Sequence, residues 1–212
     1  DIELSRLSVA YLHVPHVTCR ACVQLICAAR EQGVNVTAET TPHHVTFTDE
    51  DCRTYDTHFK MKPPLRSTDD RAALVEALED GTISAISSDH APHTETDKER
   101  TFAHAPFGVI GLETAFAAAH DALVVNGPLS LGRLIELMST EPARILGRTP
   151  VTLSTVSVAD LVILDPGASW TVDADSLRSR GRNCPWIGRT LSGRVVETLL
   201  GGRVTYSTNA GA

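Results

Sequence analysis

No stretch of this chain approaches the roughly 18 consecutive apolar residues that crossing a bilayer requires. Nor does any run of lysine or arginine form the basic stripe that a phosphate backbone demands. The first absence argues against a membrane-spanning helix, and the second against a nucleic-acid partner. The opening Asp1-Ile2-Glu3-Leu4 lacks the basic residue and greasy core of an export signal, so the expectation is a soluble, unexported protein. There is no internal repeat and no low-complexity segment. The five cysteines (Cys19, Cys22, Cys27, Cys52, Cys184) are odd in number and irregularly spaced, which argues for reduced thiols in the cytoplasm over a disulfide framework. Cys19-x-x-Cys22 has no second pair to complete a zinc site and reads as thiols on a helix.

What is present is a globular composition. Of 212 residues, 42% are hydrophobic and 21% charged, which excludes disorder and suffices for one or two domains. Nineteen Lys and Arg against 26 Asp and Glu leave a net charge of −7.

Along the chain, the β-branched run Leu7 to Val17 predicts a strand, followed by a helix carrying Val23, Ile26 and Ala29 and stopped by Gly33. Val34 to Thr40 predicts a second strand. Thr41 to Pro64 is polar and contains proline, so it reads as a long loop with little regular structure, long enough to suspect function. Ser67-Thr68-Asp69-Asp70 starts a helix with a Leu74, Val75, Leu78 stripe that Gly81 ends. Ile83 to Ser88 predicts a short buried strand. Leu112 to Val125, with Leu112, Phe116, Ala119 and Leu123 on one face, Leu131 to Met138, and Pro142 to Leu146 predict three helices. The strands are too apolar for a half-exposed antiparallel sheet, so the chain reads as α/β up to Gly147. After Thr149 the pattern turns to β: Leu161 to Leu164, Trp170 to Val172, and Arg194 to Leu200 turning through Gly201-Gly202 into Val204 to Tyr206. That division gives residues 1–149 and a small β module, 150–212, with a loose tail from Ser207 to Ala212.

Most of the nine histidines fall at predicted strand ends or just beyond. In parallel β/α architectures the C-terminal strand ends converge on one face, so His16, Glu39 and Asp89, each closing a strand, can share a site. Imidazole with carboxylate is a ligand set for zinc or a similar divalent ion. For His16 alone, a satisfied strand-end histidine is the plainer reading. Asp89 leaves an apolar run into His90-Ala91-Pro92-His93, and a carboxylate emerging from a buried strand needs a metal or a cation. His43-His44 read equally as structural or functional. Lys62-Pro63-Pro64-Leu65-Arg66 is stiff, with cations at both ends, and suits either an anionic ligand or a solvated loop.

Four blocks in order then carry a resemblance. Thr37-Ala38-Glu39-Thr40-Thr41-Pro42-His43-His44, Lys60-Met61-Lys62-Pro63-Pro64-Leu65-Arg66, Ser88-Asp89-His90-Ala91-Pro92-His93 and Ala105-Pro106-Phe107-Gly108-Val109-Ile110-Gly111-Leu112-Glu113-Thr114 resemble class I dihydroorotases of the amidohydrolase superfamily. Glu141-Pro142-Ala143-Arg144-Ile145-Leu146-Gly147 and Ala159-Asp160-Leu161-Val162-Ile163-Leu164-Asp165-Pro166 extend it, from about Asp1 to Tyr206.

The resemblance implies reversible cyclisation of N-carbamoyl-L-aspartate to L-dihydroorotate in de novo pyrimidine synthesis, at one or two zinc ions. It implies the C-terminal part of a (β/α)8 metal-dependent hydrolase barrel, about strands six to eight, plus a small β-sandwich module. By motif match His16 is a metal ligand, and Asp89 both binds metal and shuttles the proton as catalytic base and acid. Lys62, His93, Phe107 and Gly108 match substrate-contacting positions, with Lys62 standing where the family usually has Asn. Glu39 matches an extra metal ligand of some relatives. The family's His-x-His strand, its bridging Lys or Asp and a further histidine have no counterpart in these residues, which are also too few for the roughly 250 of a complete barrel. The expectation is therefore that the chain works with an N-terminal half. A homodimer is a further family expectation, as is a mobile, polar Thr94 to Pro106 loop over the site on its composition. Two alternatives remain: a non-catalytic scaffold for aspartate transcarbamoylase, and a cyclic amidohydrolase acting on allantoin or a hydantoin.

Overall fold

A computed structural model describes residues 1–153 and 158–208. The expected loose tail thus lies partly outside the described residues, as do 154–157 of the β module.

Three parallel strands lie side by side in chain order: β1 (Leu12–Val14), β2 (Val36–Thr40) and β3 (Ala85–Ile86). Leu12 faces Val36 and Val14 faces Ala38, while Glu39 faces Ala85. All three strands therefore end on the same side. The helix α1 (Ile2–Ser8) precedes them, and α2 (Arg20–Glu31) crosses from β1 to β2 with Ile26 and Ala29 buried. Next come α3 (Pro42–Thr46) and α4 (Thr68–Asp80). Ser67 caps α4 by accepting the Asp70 N–H at 3.2 Å, acidic residues occupy its first turn, and Gly81 at φ 88° ends it. Ile26, Leu74 and Leu78 are almost fully buried beneath the sheet, each stabilising the fold by about 1.5–3 kcal/mol of transfer free energy.

The expected strand from Leu7 to Val17 shrinks to three residues. Ile2–Ser8 is helical instead, closed by Val9 in the left-handed region, and Pro15 has no N–H with which to continue the ladder beyond Val14. The expected Ile83 to Ser88 strand keeps only Ala85–Ile86, but Ser84 and Ser87 N–H groups still donate to Ala38 O and Thr40 O at 2.9 Å, holding both flanks in register.

The larger correction concerns Thr41 to Pro64, which is neither structureless nor superficial. It contains α3 and two 3-10 turns, Asp49–Thr54 and Thr57–Phe59, and it buries His43, His44, Val45, Phe47, Thr57, Lys60 and Met61. Its polar residues serve as caps: Thr41 and Asp56 side chains accept the His44 and His58 N–H groups, and Thr48 N–H donates to Asp51. Polarity there reflects capping at Thr41, Thr48 and Asp56 as well as the exposure of Asp49, Glu50, Arg53 and Thr54.

Beyond β3 lie α5 (Glu95–Lys98) and α6 (Ala115–His120), the latter running into a π turn at Asp121–Val125. Phe116, Ala119 and Leu123 enter the core as expected, whereas Leu112 precedes the helix and is exposed. α7 (Leu131–Ile135), a π turn at Glu136–Thr140 and α8 (Glu141–Ile145) follow. No helix among the described residues is long and apolar enough to cross a membrane.

A second, antiparallel sheet comprises β4 (Leu161–Thr171), β5 (Thr190–Leu200) and β6 (Arg203–Ser207). Two expected strands merge into β4 because Pro166-Gly167 forms a bulge, with Asp165 Oδ1 accepting the Gly167 and Ala168 N–H groups. Gly201-Gly202, both at positive φ, make the β5–β6 turn. Val172, Leu177, Cys184, Trp186 and Leu191 share one apolar cluster with Phe47, Met61, Leu65, Val109 and Ile110. Val162, Ile163, Leu200 and Val204 of this sheet are about half exposed.

Candidate functional site

His16 lies two residues beyond β1, Glu39 is the penultimate residue of β2, and Asp89 follows β3, so the common direction of the strands brings the three together. His16 (φ 51°) and Asp89 (φ 46°) are both left-handed, a conformation that costs about 1–3 kcal/mol and is held here by neighbouring backbone bonds. Val17 N–H donates to Glu39 O at 2.8 Å, and Thr40 Oγ1 donates to Val17 O at 2.8 Å.

The imidazole of His16 spans the two carboxylates. Its Nδ1 is 3.1 Å from Glu39 Oε1 and its Nε2 is 3.4 Å from Asp89 Oδ1. Ser87 Oγ also donates to Glu39 Oε1 at 2.7 Å, and His13 Nε2 lies 3.3 Å from Glu39 Oε2. The contact with Glu39 raises the His16 pKa against the opposing effect of burial, and Asp89 adds to the rise. Burial pushes Glu39 up, but hydrogen bonds from His16, Ser87 and His13 outweigh it and leave the carboxyl lowered. Asp89 is raised, chiefly by burial, with His16 opposing and Glu39 adding to the rise.

His43 and His44 separate by environment. His44 places Nδ1 2.8 Å from Thr41 Oγ1 and donates through Nε2 to Pro63 O at 3.0 Å, and burial pushes it down to about 4, so it is a neutral structural residue. His43 is 1% exposed, its Nε2 is 3.6 Å from Asp89 Oδ2, and neither ring nitrogen has a hydrogen-bond partner among the described residues. Burial holds it neutral, and an orphaned imidazole beside a carboxylate marks a place where a polar group is wanted.

Ligands of a tetrahedral zinc at about 2.0–2.1 Å stand roughly 3.3 Å apart. The 3.4 Å between His16 Nε2 and Asp89 Oδ1 fits that spacing, while Glu39 on the Nδ1 side occupies the position of a group that orients a ligating histidine. Among the described residues no group of three or more His, Cys, Asp or Glu is arranged to hold a metal ion.

A second cluster gathers His93, Phe107 and Gly108. His93 Nε2 lies 2.7 Å from Phe107 O, and a bridge between His90 and Val109 holds the two segments parallel. Gly108 sits at φ 131° with a hypothetical Cβ only 2.6 Å from Ala91 Cβ, so no other residue fits without displacement. Phe107 is half exposed, with Lys60 Nζ 4.6 Å above its ring. Lys62 is exposed and makes no hydrogen bond or ion pair among the described residues.

Sequence reasoning missed the residue that ties this cluster together. Asn183 is buried, donates through Nδ2 to Ala91 O at 2.8 Å and Gly108 O at 3.0 Å, and accepts His93 N–H at 3.0 Å. The available signal was an amide directly before Cys184-Pro185-Trp186, a run apolar enough to carry it into the interior. Lys98 was also missed. Its buried ammonium donates to Pro106 O and Gly108 O at 3.1 Å, and Thr57 Oγ1 donates to Lys98 O. The expected mobile loop from Thr94 to Pro106 is thus tied down at Lys98, since a buried charge with carbonyl partners cannot be released without cost.

A parallel sheet with crossover helices carries histidine and carboxylates at its C-terminal ends, a β/α layout. The amidohydrolase family profile matches residues 12–205, and the chain belongs to that family. It is 44% identical over 209 residues to the dihydroorotase of Caldanaerobacter subterraneus subsp. tengcongensis, covering 99% of this chain and 48% of that protein. The dihydroorotase of Syntrophus aciditrophicus is 47% identical over 206 residues, covering 97% and 48%. The L-hydantoinase (dihydropyrimidinase) of Arthrobacter aurescens superposes with a TM-score of 0.89 at 32% identity, covering 97% of this chain and 47% of that one. The dihydropyrimidinase of Brevibacillus agri NCHU1002 does so with 0.88 at 26%, with the same coverage. The chain spans about half the length of the curated relatives it matches.

Proposed function

We propose that this chain supplies the C-terminal part of a dihydroorotase, interconverting N-carbamoyl-L-aspartate and L-dihydroorotate in cytoplasmic pyrimidine synthesis. The observation that carries the reading is His16 Nε2 facing Asp89 Oδ1 at 3.4 Å, with Glu39 behind the ring. The choice of ring rests on the 44–47% identity to relatives named dihydroorotase, against 32% for the first hydantoinase.

In this reading His16 and Asp89 hold a divalent ion, zinc by resemblance, together with ligands from an N-terminal half. Such an ion polarises the scissile amide and acidifies water near neutral pH. Asp89 takes the proton from the attacking water and delivers it to the departing ring nitrogen, and in reverse takes it from the carbamoyl nitrogen. Glu39 keeps the His16 ring turned, which makes it an orienting group in place of the extra ligand that the motif match suggested. His93, with the Phe107-Gly108 backbone, positions the substrate, and Lys62, without a hydrogen bond or ion pair among the described residues, supplies a cation for its carboxylate.

In the same proposal residues 1–149 contribute about strands six to eight of the barrel and 150–212 one layer of a β-sandwich. The half-exposed Val162, Ile163, Leu200 and Val204 support a second layer from outside this chain. A homodimer and association with aspartate transcarbamoylase rest on the resemblance alone.

The test is ring opening by the full-length protein, with dihydroorotate, allantoin and hydantoin compared before and after chelation. Turnover of dihydroorotate that chelation abolishes and zinc restores is expected. Preference for another ring, or turnover indifferent to chelation, contradicts the proposal. A folded full-length protein without any turnover favours the scaffold alternative.

A further inference from the structure

The cysteines are all free, but they are not equivalent. Cys19 is the N-cap of α2 and Cys22 lies in its first turn, a three-residue separation that puts both side chains on one helical face. Cys22 and Val23 N–H groups donate to Cys19 O at 3.1 and 3.2 Å, which fixes the turn, and the two sulfurs lie 3.2 Å apart. Cys22 is exposed and Cys19 half-buried, so a small reagent can reach them. None of the other three has a sulfur neighbour: Cys27 lies near Glu31, Cys52 contacts Phe59 O, and Cys184 is buried.

We propose that Cys19 and Cys22 form a reversible dithiol–disulfide pair, a modification site whose oxidant is a low-molecular-weight disulfide. Paired thiols of this kind in a reducing compartment are typically transient and redox-sensing, not structural. Burial and the contact with Cys19 push the Cys22 thiol up to about 11, and Cys19, at the N-cap of α2, is the sulfur that attacks first in this sequence. The Cys19 sulfur bonds to one sulfur of the reagent and expels the other as a thiol. Cys22 then loses its proton and displaces the attached thiol, forming the Cys19–Cys22 bond. Two electrons and two protons pass from the pair to the reagent, giving two small thiols. The inference is independent of the reaction proposed above.

The experiment is equilibration of the full-length protein in mixtures of oxidised and reduced glutathione, acid quenching, alkylation and peptide mass analysis. The expected result is a 19–22 peptide lacking two hydrogens at a poise where Cys27, Cys52 and Cys184 remain alkylated. Cys22→Ser should stall with glutathione attached at Cys19, and Cys19→Ser should slow modification of Cys22 at least tenfold. Recovery of wild-type Cys19 and Cys22 both alkylated under oxidised glutathione, or each carrying its own glutathione, overturns the proposal. The wild-type measurement decides the question even if a variant fails to fold.

Discussion

Two polar clusters lie near the same end of the parallel sheet, and they differ in completeness. The Asn183 side chain is fully partnered within the chain: both amide protons, the amide oxygen and the Gly108 carbonyl are all engaged. Around His16 not all polar side chains are. Among the described residues His43 has two orphaned ring nitrogens, Asp89 is partly desolvated between the imidazoles of His16 and His43, and two residues are held in the left-handed region. A closed network is what a fold builds to hold shape, whereas strain and unmet polar demand concentrate where a site awaits something else. The difference teaches that Asn183 holds the shape of its cluster, and it supports the proposal that the chemistry is centred on His16 and Asp89.

That contrast can be broken by substitution in the full-length protein. The largest effect is expected for Asp89→Asn, which should lower turnover by about 100- to 10,000-fold with little change in thermal stability, measured by steady-state kinetics and calorimetry. Glu39→Gln should follow, weakening metal affinity by about 10- to 100-fold through a looser His16 ring, as read by competition with a chelator. Asn183→Ala reverses the pattern: loss of about 1–3 kcal/mol of stability in chemical denaturation, because buried donors and acceptors lose partners, with metal content unchanged. The smallest effect is expected for Lys62→Asn, within about 0.5 kcal/mol of wild-type stability, with any kinetic change confined to KM.

Legibility followed the distance over which each signal acts. The α2 helix was readable from its stripe and glycine stop, and α4 from its Ser67 cap, stripe and glycine stop, because these signals are local. The meeting of His16, Glu39 and Asp89 was readable because polar residues closing parallel strands converge on one face. The Thr41 to Pro64 segment was misread because capping polarity resembles solvent polarity until the burial of Phe47 and Met61 is seen. Asn183 was invisible because its partners lie 75 to 92 residues away, and nothing in the adjacent sequence announces them. The same holds for His43, whose meaning depends on Asp89 arriving from another strand.

The central claim is that His16 and Asp89 are two ligands of a site completed from outside these residues. Its most direct test is zinc retained by the 212-residue chain alone, compared with the same chain joined or mixed with an N-terminal half. The account predicts that zinc and dihydroorotate turnover are retained only when both parts are present, and that both are lost with Asp89→Asn. Stoichiometric zinc on the chain alone, or a complete protein that binds zinc equally well without Asp89, would contradict it.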